Sequence, residues 1–116
     1  MIVALHSVLA PGAEGDYERE HQRIPDDLVA SFARIGIRDW TIWRSGRHLF
    51  HLVDCDDYAA AMAALAGDPA DEAWQARIGR YVEGFAGSEA GPDGQVLPVV
   101  WRLTEQVAER GVPEER

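Results

Sequence analysis

The chain has 116 residues, 47% of them hydrophobic, and this length and composition suit one compact domain. Its formal net charge is −9, with acidic residues spread along the chain, which argues against nucleic acid or an anionic membrane surface as a partner. No apolar run is long enough to cross a bilayer, no basic stretch marks a signal peptide, and the single cysteine, Cys55, excludes an internal disulfide. We therefore expect a cytoplasmic protein.

The first third of the chain predicts a strand followed by an interrupted helix. Residues 2–9 are rich in β-branched and large apolar side chains, and Pro11-Gly12 ends this strand. Apolar residues at helical spacing predict a helix over residues 13–35, with Gly36 as its C-cap. Pro25 lies inside that range and predicts a kink or a short break.

Tyr17 and His21 stand four residues apart in the acidic first part of this helix. On a helix that spacing stacks both side chains on one face. The pair can bind one small polar ligand, or it can simply pack the helix onto a sheet.

Residues 37–44 and 47–54 predict two strands joined by a hairpin turn at Ser45-Gly46. That turn pairs Trp40 with His51. Alternation along the strands then divides the large side chains between two faces, neither of which is purely polar. One face carries Trp40, Ile42, Leu49 and His51; the other carries Thr41, Trp43, His48 and Phe50.

The second half of the chain predicts two further helices, a polar loop, a fourth strand and a charged tail, over residues 56–66, 70–83, 86–95, 96–103 and 104–116. Asp56 or Asp57 suits the N-cap of the first of these helices. Pro98 places the fourth strand at a sheet edge or a bulge. The order β-α-β-β-α-β is the ferredoxin-like α+β pattern. One helical layer covers one face of such a sheet, so the other face needs a partner subunit or another sheet.

The patterns of metal, nucleophilic and nucleotide sites are missing from the sequence. His48 and His51 point to opposite faces of a strand, and no Cys pair or His-x-x-x-His occurs. Cys55 has no catalytic signature around it, and no Gly-rich phosphate loop follows a strand. We therefore predict no metal and no cofactor.

Acid–base chemistry on a small neutral molecule remains. Histidine titrates near neutral pH, so His21 can both give and take a proton. Four tryptophans are many for this length, and indole faces commonly pack against sugar rings. Trp40 and Trp74 suit either a sugar platform or the core, whereas Trp101 is expected in the core.

An ordered set of motifs resembles the L-rhamnose mutarotase family. The set is the first-helix Tyr-x-x-x-His, an aromatic hairpin, a Trp-containing helix and a last strand ending in aromatic-x-Leu: Tyr17 and His21, 39–43, 49–54, Trp74, and 101–103. It covers residues 1–103, which we interpret as a single mutarotase-like domain followed by the charged tail 104–116.

The resemblance implies a homodimeric α/β barrel, in which two ferredoxin-like sheets pack face to face. It implies interconversion of the α and β anomers of a 6-deoxyhexose, such as L-rhamnose or L-fucose, without metal or cofactor. His21 matches the family's proton donor and Tyr17 a substrate contact. Trp40 matches a tyrosine that touches the sugar, and Trp74 the first residue of a Trp-Trp pair.

The chain departs from the family pattern at the pocket. Gln75 stands in place of the second Trp, Gln22-Arg23 in place of Asn-Pro, and 24–26 (Ile-Pro-Asp) in place of Trp-Pro. The sugar therefore need not be L-rhamnose. We predict His21 as the catalytic residue and the following as substrate-binding residues: Tyr17, Trp40, His51, Trp74 and Gln75.

The catalytic base stays open between Asp54, His51 and a water molecule. Two other functions on the same barrel also stay open. One is a cofactor-free small monooxygenase acting on an aromatic polyketide. The pocket of such an enzyme should be deep, apolar and poor in groups that hydrogen-bond to hydroxyls. The other is a non-enzymatic ligand-binding protein.

Overall fold

A computed structural model describes residues 1–87 and 94–109. In these ranges four strands form one antiparallel sheet, in the order β2-β3-β1-β4. This confirms the ferredoxin-like α+β class. The elements are β1 (Ile2–Leu9), α1 (Glu14–Glu20), α2 (Asp26–Ile35), β2 (Ile37–Ser45), β3 (His48–Cys55), α3 (Tyr58–Ala66), α4 (Pro69–Ile78), a 3₁₀ turn (Gly79–Tyr81), β4 (Val82–Phe85) and α5 (Leu103–Glu109). No helix in the described part of the chain is long and apolar enough to cross a membrane.

The predicted break in the first helix is confirmed. The helix ends at Glu20 and restarts at Asp26, with Pro25 in an extended conformation as the N-cap. Proline lacks the N–H that a continuous helix would use, so the helical hydrogen bonding is interrupted here. Gly36 then ends α2 at φ +97°, where an added Cβ would lie 2.8 Å from Asp56 Oδ2, so the predicted C-cap is also confirmed.

The hairpin forms, but the predicted register is wrong by two residues. Gly46 and Arg47 are the central turn residues, so Ser45 pairs with His48 and Trp40 pairs with Val53 rather than His51. Gly46 has a positive φ of 59°, which suits the first central position of a tight hairpin turn. A shift of two residues leaves every side chain on its predicted face.

The helices after the hairpin begin within two residues of their predicted starts, but the last strand is elsewhere. Asp57 caps α3 through Ala60 N, which decides between the two predicted caps. The helix predicted over 70–83 ends at Ile78, and Val82–Phe85 forms β4 beside β1. The prediction of a fourth strand at 96–103 is therefore wrong.

Residues 97–102 have no regular secondary structure and lie outside the sheet. Leu97 N donates to the carbonyl of Ala4 at 2.9 Å, but in the described ranges the fourth strand of the sheet is β4. Trp101 is 65% exposed and donates to Gln106, so its predicted core position is wrong. The predicted tail is helical over α5, and residues 110–116 lie outside the described ranges.

The sheet has one covered and one open face. Alternate residues of β1 and β3 are buried beneath the helices, as the period of two requires. The open face carries large exposed apolar side chains: Ile2, Trp43, Phe50 and Leu52. His6 stacks on Phe50 there and shares a hydrogen bond with His48.

Candidate active site

A cavity of about 750 Å³ lies between the helices and the covered face of the sheet. This volume is within the usual range for a small-molecule site. All six residues predicted from the sequence line it: Tyr17, His21, Trp40, His51, Trp74 and Gln75. The covered face of β2 and β3 supplies two of them, and the helices supply the rest.

Tyr17 and His21 meet at the end of α1, as the four-residue spacing predicts. Their ring centroids are 4.1 Å apart, and His21 Nδ1 donates to the backbone carbonyl of Tyr17 at 2.9 Å. A carbonyl only accepts, so Nδ1 carries the hydrogen and Nε2 of the neutral ring keeps its lone pair. Burial lowers the pKa of His21, which favours this neutral form at neutral pH.

Tyr17 is buried beside His21, and the loss of solvation raises the pKa of its phenol to about 12. The phenol therefore stays protonated across the physiological range. It can donate or accept a hydrogen bond at the cavity wall, but it does not act as a base.

The helix α4 brings a tryptophan and two polar groups to the same cavity. Trp74 is buried with its ring edge-to-face against His21, at a centroid distance of 5.1 Å. Asp68 caps the start of α4 and also pairs with Arg34 of α2 at 2.8 Å, which fixes α4 against α2. Asp71 and Gln75 follow on one face of α4, with Gln75 Nε2 3.4 Å from Asp71 Oδ1.

Asp71 lines the cavity but was missed by sequence reasoning. Its burial raises the pKa of the carboxyl above the ordinary value. The i, i+4 spacing from Gln75 was the signal that could have identified it. A carboxylate beside an amide supplies both acceptors and donors, which is the combination that sugar hydroxyls need.

His51 lies on the sheet side of the cavity and is almost fully buried. Its Nε2 is 2.9 Å from Ser7 Oγ, and the indole Nε1 of Trp40 donates to its Nδ1 at 3.1 Å. Burial, with a smaller effect from the charge of His21, lowers the pKa of His51 to about 4. Both ring nitrogens are thus engaged by protein groups, and the imidazole is a weak base.

Ser7 also lines the cavity and was missed by sequence reasoning. It occupies a buried register position of β1 between Leu5 and Leu9. A lone polar residue on the buried side of an alternating strand was the available signal.

Asp54, one of the predicted candidate bases, does not line the cavity. Its carboxylate pairs with Arg38 at 2.9 Å, and its position in β3 shares the open face with His48 and Phe50. Neither Asp54 nor the doubly engaged His51 therefore suits the role of base. Among the described residues, no cluster of three or more His, Cys, Asp or Glu side chains has the geometry of a metal site.

The sequence profile of the L-rhamnose mutarotase family matches residues 2–103. The chain belongs to this family. A related protein, an L-fucose mutarotase from Xanthomonas campestris pv. campestris, is 35% identical over 97 residues, which cover 79% of this chain and 78% of the relative. Family membership identifies the chain as an aldose mutarotase, an isomerase.

Solved structures share the fold at lower sequence identity. An L-rhamnose mutarotase from Formosa agariphila superimposes with a TM-score of 0.68 at 15% identity, covering 89% of this chain and 98% of that one. The tetracenomycin F2 cyclase of Streptomyces glaucescens gives 0.64 at 17% identity, covering 88% and 95%. These two similarities support the ferredoxin-like fold, which therefore accommodates more than one chemistry.

Proposed function

We propose that this aldose mutarotase interconverts the α and β anomers of a 6-deoxyhexose, L-rhamnose or L-fucose, by metal-free acid–base ring opening at His21. The observation that carries the proposal is the hydrogen bond from His21 Nδ1 to the Tyr17 carbonyl. It leaves Nε2 as the one ring atom that exchanges a proton with a ligand.

Ring opening moves one proton between two oxygens on the same carbon. Neutral His21 takes the proton of the anomeric hydroxyl at Nε2, the carbonyl forms, and the bond from the anomeric carbon to the ring oxygen breaks. The imidazolium then gives that proton to the ring oxygen. Because both oxygens are bonded to one carbon, a single imidazole can serve both, first as base and then as the donor that the family resemblance implies.

Ring closure repeats these steps in reverse on the other face of the aldehyde. Rotation about the bond between the first and second carbons of the open chain presents that face, and closure gives the other anomer. The proton is returned, so no redox partner or co-substrate is consumed.

The cavity lining supports a sugar over the aromatic polyketide of the monooxygenase alternative. A monooxygenase of that kind should have a pocket poor in groups that hydrogen-bond to hydroxyls. The lining instead includes the polar side chains of Tyr17, Asp71 and Gln75. Apolar side chains in the same lining suit the methyl group of a deoxysugar. Anomer-exchange NMR on a panel of aldoses tests the proposal, with 6-deoxyhexoses expected to be accelerated most.

We also propose a homodimer that buries the open face of the sheet. Trp43 and Phe50 are 54% and 43% exposed on that face, and isolated soluble domains rarely leave such a contiguous apolar surface uncovered. Light scattering should therefore give twice the chain mass at micromolar concentration.

Matched lysine substitutions locate the interface. Phe50→Lys should shift the protein to monomer, because it places a charge in the centre of the proposed contact. Ala63→Lys, on the exposed side of α3, should leave the mass unchanged. A wild-type monomer at micromolar concentration would refute the face-to-face dimer.

A further inference from the structure

Ser7, His51 and Trp40 form a linear chain of hydrogen bonds along the covered face of the sheet. Ser7 lies in the centre of this face, paired with Leu49 of β3 and Phe85 of β4, and its side chain is fully buried at the cavity wall. The distances along the chain are 2.9 Å from Ser7 Oγ to His51 Nε2 and 3.1 Å from His51 Nδ1 to the indole nitrogen of Trp40.

The indole of Trp40 determines the tautomer of His51. An indole N–H only donates, so His51 Nδ1 must accept and carries no hydrogen. The hydrogen of the neutral imidazole is therefore on Nε2, which donates to Ser7 Oγ. The direction of both hydrogen bonds runs from Trp40 through His51 to Ser7.

Ser7 accepts from His51, so its own hydroxyl hydrogen needs an acceptor elsewhere. Among the described residues, His51 is the one hydrogen-bond partner of Ser7 Oγ. A buried hydroxyl without an acceptor is unfavourable, and the cavity is the space from which an acceptor can come.

We propose that Ser7 donates a hydrogen bond to the ring oxygen of the bound sugar, and that Trp40 and His51 position it for that contact. This inference rests on the proposed mutarotase function. Every hydroxyl of an aldopyranose can donate as well as accept, but the ring oxygen only accepts. A fixed donor in the cavity therefore matches that atom better than any other sugar oxygen.

The contact becomes stronger as the ring opens. Electron density accumulates on the ring oxygen while its bond to the anomeric carbon breaks, and a preorganised donor stabilises that charge. The proton that finally reaches the ring oxygen is the one that His21 took from the anomeric hydroxyl, and Ser7 keeps its own. Ser7 is thus a catalytic residue through its hydrogen bond, whereas His51 and Trp40 are positioning residues.

The low pKa of His51 keeps this chain intact during turnover. The charge of His21 is one of the causes that lower this pKa to about 4, so His51 remains neutral when His21 holds the proton. Its Nε2–H tautomer, and with it the direction of the Ser7 hydroxyl, persists through the proton exchange.

Ser7→Ala tests the hydrogen bond directly, with Ser31→Ala as the matched control. We expect Ser7→Ala to lower kcat for anomer exchange about 10- to 100-fold with a smaller change in KM, since the contact gains strength in the transition state. Ser31 is equally buried, but its hydroxyl accepts from Arg34 on α2 outside the cavity lining. Ser31→Ala should therefore retain the wild-type rate.

Trp40→Phe tests the positioning of Ser7 without changing Ser7 and applies even if Ser7→Ala fails to fold. Phenylalanine retains the packing on Phe32 but removes the indole donor. His51 can then adopt the Nδ1–H tautomer and accept from Ser7, so we expect roughly a tenfold lower kcat. Nitrogen-15 NMR should show the Nε2–H tautomer of His51 in the wild type and a mixture in Trp40→Phe.

The outcomes separate this inference from the proposed function. An active wild type with an unchanged Ser7→Ala rate overturns the role of Ser7 and leaves the mutarotase proposal intact. An Nδ1–H tautomer of His51 in the wild type also overturns it. A wild type that accelerates neither L-rhamnose nor L-fucose exchange refutes the proposed function, and the inference fails with it.

Discussion

His21→Ala should lower the rate of anomer exchange by about 100-fold or more, which is the usual size of an acid–base contribution. The substitution removes Nε2, the atom assigned to proton exchange, and leaves Tyr17, Trp74 and the cavity in place. The fall should appear in kcat, because the lost interaction is made with the moving proton rather than with the bound sugar.

Tyr17→Phe is the comparison variant for His21→Ala, because it changes the neighbouring side chain of the same pair. It removes one hydroxyl and retains the ring, whose centroid lies 4.1 Å from that of His21. The activation free energy of anomer exchange should therefore rise by only about 1–2 kcal/mol, the size of one hydrogen bond. Circular dichroism must show that both variants are folded. A folded His21→Ala protein with the wild-type exchange rate would contradict the mechanism.

Acid should destabilise the protein through His51. The pKa of this imidazole falls from an ordinary 6.5 to about 4 on folding, so the unfolded chain binds the proton more readily. Stability from this group is complete above the unfolded pKa, decreases as the pH drops below it, and is fully lost once the pH passes the folded pKa. The free energy of unfolding should therefore decrease by about 2 kcal/mol between about pH 7.5 and pH 5.

His51→Gln supplies the control, because an amide does not titrate. Urea unfolding should show a lower stability for this variant at neutral pH and a flatter dependence on pH across that window. The pKa of His21 is also lowered by burial, so some slope should remain. An identical slope in wild type and His51→Gln would show that His51 is not held neutral in the folded state.

Local chemistry predicted the parts of the fold in which a single residue determines the backbone. Pro25 interrupts the first helix whatever the tertiary structure around it. Gly36 occupies a position where an added Cβ would clash with Asp56. The hairpin register depended on which two residues form the turn. Gly46 has the positive φ that the first central position favours, so the turn forms at Gly46-Arg47 rather than at Ser45-Gly46.

The fourth strand was not predictable because its signal is weak and a stronger one lies downstream. Val82–Phe85 is four residues long and contains Gly84, whereas 96–103 has the composition of a strand. The edge of β1 pairs with the shorter segment at Ser7, Val8 and Leu9, and the longer segment contributes the hydrogen bond from Leu97 N to the Ala4 carbonyl. Such a competition depends on tertiary packing, which composition does not describe.

At the site, too, contacts within one helix were predictable from sequence, whereas contacts between strands were not. Tyr17 and His21 lie one turn apart on one helix, and their spacing alone predicted the contact. Ser7 and His51 lie on different strands, 44 residues apart, so their hydrogen bond appears only once the sheet is assembled. Asp71 lies four residues before Gln75 on α4, so that spacing could have identified it once Gln75 was assigned to the site.

Anomer-exchange NMR with L-fucose and L-rhamnose tests the central claim most directly. Magnetisation transfer between the α and β anomeric signals reports the rate in the presence of wild-type protein, of His21→Ala and of buffer alone. We expect wild-type protein to accelerate exchange of at least one of the two sugars. With His21→Ala, the exchange rate should fall most of the way back to the rate in buffer alone. If wild-type protein leaves the exchange of both sugars at the buffer rate, the proposal that this protein is a mutarotase for L-fucose or L-rhamnose is contradicted.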